Sequence, residues 1–199
     1  MTAPQQSPGS RVPSILQKRH ILLGVSGSIA AYKAAPLVRL LVQAGAEVQV
    51  ILTEAAAAFV TPLTLGTLSK KPVLTGFLRD AASGQWHNHV ELGLWADAYL
   101  IAPASANTLG QLANGLCPNL LSAVYLSARC PVFLAPAMDL DMYAHPAVTQ
   151  NIQRLRSFGN HVFDSPSGEL ASGLSGPGRM LEPEQIVAEL EKFFMDKKK

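Results

Sequence analysis

The sequence predicts a three-layer α/β/α sandwich around a parallel, Rossmann-like (flavodoxin-like) sheet, on three observations. His20–Val25 (HILLGV) and Glu47–Thr53 (EVQVILT) are short apolar runs that enclose a glycine turn and a helical repeat, the order of a βαβ unit. A crossover of that kind pairs its strands in parallel and with right-handed sense. Asp97–Ala102 and Pro131–Ala135 are further apolar runs without the alternation of a half-exposed sheet. In such a sheet the ligand sits beyond the strand C-termini.

Along the chain, Met1–Arg19 carries Pro4, Pro8 and Pro13 among Ser and Gln and lacks an apolar signal core. It reads as a disordered leader, and the protein is expected in the cytoplasm. The first strand leads into Gly24–Ser28, which is not the GxGxxG pattern of dinucleotide sites. A single tight turn with the hydroxyls of Ser26 and Ser28 fits a monophosphate at a helix N-terminus. An ordinary βα turn in which Gly27 only satisfies geometry is the alternative, and the turn alone does not separate the two. Apolar spacing through Ala35, Val38, Leu41 and Val42 then marks a helix ending near Gly45.

Glu54–Phe59 and Pro62–Ser69 read as short helices, Lys71–Phe77 as a strand, and Arg79–Asn88 as a polar loop holding Trp86 and His87. From Ala98 to Ala128 no residue carries a formal charge. Pro103, Asn107, Gln111, Asn114, Pro118 and Asn119 interrupt that run too often for a membrane span. A buried strand to Ala102 is expected, then a turn over Pro103–Thr108 and a helix to about Ala113, capped by Ser105 or Asn107. The low charge reads as surface covered by another subunit. Pro146–Phe158 is an amphipathic helix and His161–Phe163 a last short strand. The Gly-, Ser- and Pro-rich segment Asp164–Pro183 reads as a functional flap, because Leu170, Leu174 and Met180 punctuate it. Glu184–Phe194 closes a single domain over residues 20–196, followed by a basic tail, 197–199.

Net charge is +2, and three of the positive charges are Lys197, Lys198 and Lys199. Without them no basic footprint for nucleic acid remains. Cys117 and Cys130 form neither a disulfide framework nor a metal-ligand spacing, which fits a reducing compartment and no metal.

Four segments in this order and spacing carry a resemblance: Gly24–Lys33 (GVSGSIAAYK), His89–Asp97 (HVELGLWAD), Pro103–Thr108 (PASANT) and Pro136–Tyr143 (PAMDLDMY), followed by the Gly168–Met180 flap. Together they resemble the homo-oligomeric flavin-containing cysteine decarboxylases. More narrowly, they are similar to the phosphopantothenoylcysteine decarboxylase domain of the bifunctional coenzyme A biosynthesis proteins. The resemblance implies FMN, with its phosphate at Gly27, Ser28, Ile29 and Thr53 and its ring and ribityl chain along Ser105, Ala106, Asn107 and Thr108. It implies His89 as catalytic base, and Asp139, Met142, Arg179 and Met180 against a small, phosphorylated cysteine conjugate. It also implies a homotrimer or a multiple of trimers, with each flavin site completed by a neighbouring subunit, and leaves room for a fused synthetase domain. Two positions depart from the family pattern. Asp139 stands where an Asn normally holds the substrate carboxylate, and Ser172 where a flap Cys normally supplies a proton. Two alternatives stay open on those departures: a peptide cysteine decarboxylase that releases an enethiol, and a flavin-binding regulatory subunit without turnover.

Overall fold

The computed structural model describes residues 14–80 and 83–197. In chain order, β1 (His20–Val25) leads through a 3-10 turn (Ile29–Lys33) into α1 (Ala34–Gln43), β2 (Glu47–Leu52), α2 (Glu54–Ala57) and α3 (Pro62–Ser69). A small hairpin, β3 (Leu78–Asp80) and β4 (Gln85–Trp86), precedes α4 (His89–Trp95), β5 (Ala98–Ala104), α5 (Ala106–Ala113) and α6 (Leu120–Ser127). Next come β6 (Val132–Pro136), α7 (Leu140–Ala144), α8 (Pro146–Ser157) and β7 (His161–Val162). The flap hairpin of β8 (Ser167–Glu169) and β9 (Ser175–Pro177) leads to α9 (Pro183–Asp196).

The central sheet has the order β2-β1-β5-β6-β7, and every pairing is parallel. Counting its own strands only, this is the flavodoxin-like order 2-1-3-4-5. Alternate residues feed two cores. Ile21, Leu23 and Val25 pack with α1 and α9 through Leu37, Leu41, Ile186 and Leu190. Leu22, Tyr99 and Ile101 pack with α5, α6 and α8 through Leu109, Leu121, Val124 and Leu155. A sheet covered on both faces needs continuous apolar strands, which is why these runs stood out in the sequence.

Several expectations change. All of β5 and much of α5 and α6 are buried within this chain, so the charge-free run is largely self-covered, and residues 114–118 are its longest exposed stretch. Lys71–Phe77 forms no strand. Leu74 makes one parallel bridge to Ile51, and Pro72 has no N–H to extend the ladder. Part of the expected polar loop pairs instead as the β3–β4 hairpin; Ala81 and Ala82 lie outside the described residues. Residues 14–19, read as the end of a disordered leader, are folded onto the domain. Leu16 is fully buried, the Ser14 hydroxyl donates to Glu191, and Arg19 pairs with Asp97 at 3.3 Å. The rest of the leader, 1–13, and Lys198 and Lys199 of the tail lie outside the described residues. Among the described residues no helix is long and apolar enough to cross a membrane, and no cluster of His, Cys, Asp and Glu could hold a metal ion.

Candidate active site

The C-terminal ends of β1, β2, β5 and β6 open into one cleft of about 990 Å³, roofed in part by the flap. It lies at the switch point where the chain order reverses between β1 and β5. Ser26 ties the two sides together. Its hydroxyl is buried, donates to the Pro103 carbonyl at 2.8 Å and accepts from the Ser105 N–H at 2.9 Å. Ser26 is therefore a brace and not a phosphate ligand, a correction to its reading as one of two cradle hydroxyls.

The cradle itself comes from two short helical starts that face each other. Ser28 caps the 3-10 turn by accepting from the Ala30 N–H, and Thr53 caps α2 by accepting from the Ala56 N–H, each at 3.3 Å. Ile29, Glu54 and Ala55 stand too early in these segments for their N–H groups to find an intrahelical acceptor, an arrangement that suits an anion. Gly27 is required by their approach: a Cβ there would lie 2.6 Å from the Ala55 Cβ. Ser105 caps α5 by accepting from the Thr108 N–H at 3.3 Å and donates to the Thr108 hydroxyl at 3.1 Å. Asn107 is not the cap, and its side chain accepts from Gln111 on the exposed face of α5. All eight residues expected around the cofactor, Gly27, Ser28, Ile29, Thr53, Ser105, Ala106, Asn107 and Thr108, line the one cleft.

The far wall carries the residues expected at the substrate. Asp139, Met142, Arg179 and Met180 all line the cleft. Asp139 occupies the N-cap position of α7 but makes no side-chain cap hydrogen bond. Arg179 lies over Gly168, where a Cβ would meet its side chain at 2.9 Å, and donates to Glu182 at 3.3 Å. The flap is fixed to the β6–α7 loop by the Met138 N–H donating to the Gly178 carbonyl at 3.0 Å. Gly178, at φ 134°, sits so close to the Met138 carbonyl that no side chain fits.

Two expected catalytic residues stand apart from this cleft. Ser172 is exposed at the flap tip, next to Ala171, which lines the cleft, but does not itself line it. His89 begins α4, whose cap is Asn88, and packs beside Trp86 with ring centroids 5.8 Å apart. Its Nδ1 is buried without a hydrogen-bond partner. Trp86 and His87 do not line this cleft either.

Sequence reading missed Lys33 as part of the site. Its side chain lines the cleft almost fully buried, donating to the Met180 carbonyl at 3.1 Å and to Glu182 at 2.7 Å. The Lys33 hydrogen bond holds the Glu182 carboxyl below its ordinary value. A lysine in the last turn of a helix looks like a solvated residue, and its partner 149 positions away gave no local signal.

A parallel sheet with a one-phosphate cradle at its switch point defines a mononucleotide-binding protein, and these residues fit FMN. The chain belongs to the flavoprotein family, whose profile matches residues 10–195. Its relatives place it among the decarboxylases of that family. It is 60% identical, over 70% of its length and 38% of the relative's, to a "Cysteine/Cysteine sulfinic acid decarboxylase" from an unknown prokaryotic organism. It is 46% identical, over 92% of its length, to the "Coenzyme A biosynthesis bifunctional protein CoaBC" of Vibrio vulnificus, and spans 45% of that protein. Among solved structures it is similar to a "PPC decarboxylase mutant C175S complexed with pantothenoylaminoethenethiol" (TM-score 0.80, 34% identity, 90% of this chain and 100% of that one). It is also similar to the "FMN-dependent Cysteine Decarboxylases SpaF" (TM-score 0.75, 26% identity, 92% and 98%). The chain thus spans less than half the length of the curated relatives it matches.

Proposed function

We propose that this chain is the cytoplasmic decarboxylase of coenzyme A biosynthesis, converting 4'-phosphopantothenoylcysteine to 4'-phosphopantetheine with FMN. In the full-length protein it would be joined to a synthetase domain. The observation that carries this reading is the single cleft in which the phosphate cradle, the α5 cap and the Asp139–Met142 wall face one another under a flap. The similarity to the bifunctional relative over 92% of the chain supports the substrate.

A cysteine carboxylate has no electron sink, and direct loss of CO2 would leave an unstabilised carbanion. Bound FMN supplies a reversible two-electron acceptor. Oxidation of the substrate CH2–SH to a thioaldehyde places a C=S beta to the carboxylate. The C–C bond then breaks, CO2 leaves, and the electron pair flows into an enethiolate. Return of the two electrons with protons gives the thiol, so the net change consumes one proton and releases one CO2. The Gly27–Thr53 cradle would hold the FMN phosphate, and the α5 cap would lie along its ring and ribityl chain.

His89 serves as the base toward the thiol. Because it lies outside the cleft of its own chain, it acts on the cleft of a neighbouring copy. The trimer or multiple of trimers that the family resemblance implies would supply such a copy. Ser172 takes the place of the family's flap cysteine, and a cysteine-to-serine PPC decarboxylase variant is the neighbour that holds an ethenethiol. Final reduction in this chain is accordingly slow, or its proton comes from another group.

The 60% identical relative favours a second reading, with cysteine or cysteine sulfinic acid as substrate. Mass spectrometry of products formed by the FMN-loaded protein separates the two. Loss of CO2 from phosphopantothenoylcysteine is the expected result. Turnover of cysteine alone would overturn the first reading in favour of the second.

A further inference from the structure

The walls of the cleft carry an unbalanced set of charges. Its two cations, Lys33 and Arg179, both donate to Glu182. Glu54, Asp139 and Glu169 also line it, and among the described residues none of the three has an ion pair. Asp139 is the one set in the β6–α7 loop beside Met138 and Met142, half-buried, with its carboxylate making no hydrogen bond at the N-cap it occupies. A carboxylate in that place repels a substrate carboxylate unless a donor on the substrate lies between them.

We propose that Asp139 is a specificity-determining residue that opens this site to a second substrate class, free 2-ammonio-3-thiol carboxylates such as cysteine, alongside N-acylated ones. The proposal rests on the reading of the cleft as an FMN-dependent decarboxylase. Every such substrate has nitrogen on its α-carbon, next to the carboxylate. In an N-acyl cysteine that nitrogen offers one neutral N–H. In free cysteine it is an ammonium, whose hydrogen bond to a carboxylate is about twice as strong and whose charge cancels the repulsion. An Asn at the same place can hold a carboxylate by its NH2 but offers the ammonium only a neutral carbonyl. For cysteine the balance is that of the acylated substrate: the C–C bond breaks, CO2 and cysteamine form, one proton is consumed, and the electron pair lent to FMN returns.

The test compares FMN-loaded wild type, Asp139→Asn and Asp139→Glu. Calorimetry measures binding of S-methyl-L-cysteine and N-acetyl-S-methyl-L-cysteine, whose blocked sulfur prevents turnover. Mass spectrometry follows cysteamine from L-cysteine and thiol product from phosphopantothenoylcysteine. Wild type should bind the free-amine ligand about tenfold or more tightly than the acetylated one. Asp139→Asn should abolish or invert that preference, and Asp139→Glu should restore part of it. Equal binding of the two ligands by wild type, or an unchanged ratio in Asp139→Asn, overturns the proposal. Product from the acylated substrate without any cysteamine overturns it while leaving the decarboxylase reading intact. No CO2 from either substrate overturns both.

Discussion

Gly27→Ala is the sharpest test of the cofactor cradle, because the structure fixes what the new methyl would meet. Its Cβ would lie 2.6 Å from the Ala55 Cβ and 3.1 Å from the Ala55 carbonyl carbon. Carbon pairs prefer about 3.5–4.0 Å, so the 3-10 turn and the start of α2 must separate by about 1 Å. Overpacking of this kind costs about 1–3 kcal/mol. The displaced amides are those placed to hold the phosphate, so strain carried by the loaded state should weaken FMN binding about 10- to 100-fold. Titration of the apoprotein with FMN, followed by quenching of flavin fluorescence, gives that ratio directly. Ala55→Gly removes the obstructing methyl, and the double variant Gly27→Ala/Ala55→Gly should recover most of the loss. An unchanged dissociation constant in Gly27→Ala would refute the cradle, and a failed rescue would refute the contact proposed as its cause.

Three further outcomes are expected. His89→Asn should retain FMN, because it leaves the cradle intact, and lose about 10²–10⁴-fold in CO2 release; near-normal release would move the base elsewhere. Ser172→Cys should raise the ratio of saturated thiol to enethiol, since a thiol with pKa about 8.5 is a far better proton donor than an alcohol. An unchanged product ratio by mass spectrometry would make the flap-tip residue a bystander. The pairing of Glu182 with Lys33 lowers its carboxyl from the ordinary 4.5, so the stability it contributes is present above about that pH and lost as acid protonates it. The difference in urea stability between wild type and Glu182→Gln should therefore shrink below pH ~4.5, and a difference that grows in acid would reverse the assignment.

What was legible in the sequence follows from the range over which each signal acts. β1, β2, β5 and β6 announced themselves because a doubly covered sheet admits only apolar residues. Ser105 was one of two candidate caps, and a local hydrogen bond to the Thr108 N–H decides between it and Asn107. The motifs gathered residues that do line one cleft, since each is a strand end followed by its own turn. Ser26 was misjudged because a hydroxyl beside a glycine turn looks the same whether it faces an anion or a carbonyl from another strand. α6 was hidden inside a run that is apolar on nearly every side. Leu16 and Lys33 are invisible locally, for their partners are elsewhere in the chain. The separation of His89 from the cleft belongs to the same class, since no spacing in a sequence states which part of the fold's surface a side chain will occupy.

The brace made by Ser26 also bears on how the cofactor enters and leaves. One oxygen joins the ends of β1 and β5, the two central neighbours in the sheet, and is 1% exposed. Freeing the Ser105 amide to solvent requires parting those strands, an opening on the scale of the whole domain and not the fraying of a loop. The backbone entropy of the α5 side of the site is thus already lost when the chain folds. Ala30, Ala31 and Lys33 of the 3-10 turn are buried as well, which leaves the exposed tip of the flap as the least anchored wall of the cleft. Loss of flavin is therefore expected to leave this end of the sheet in place.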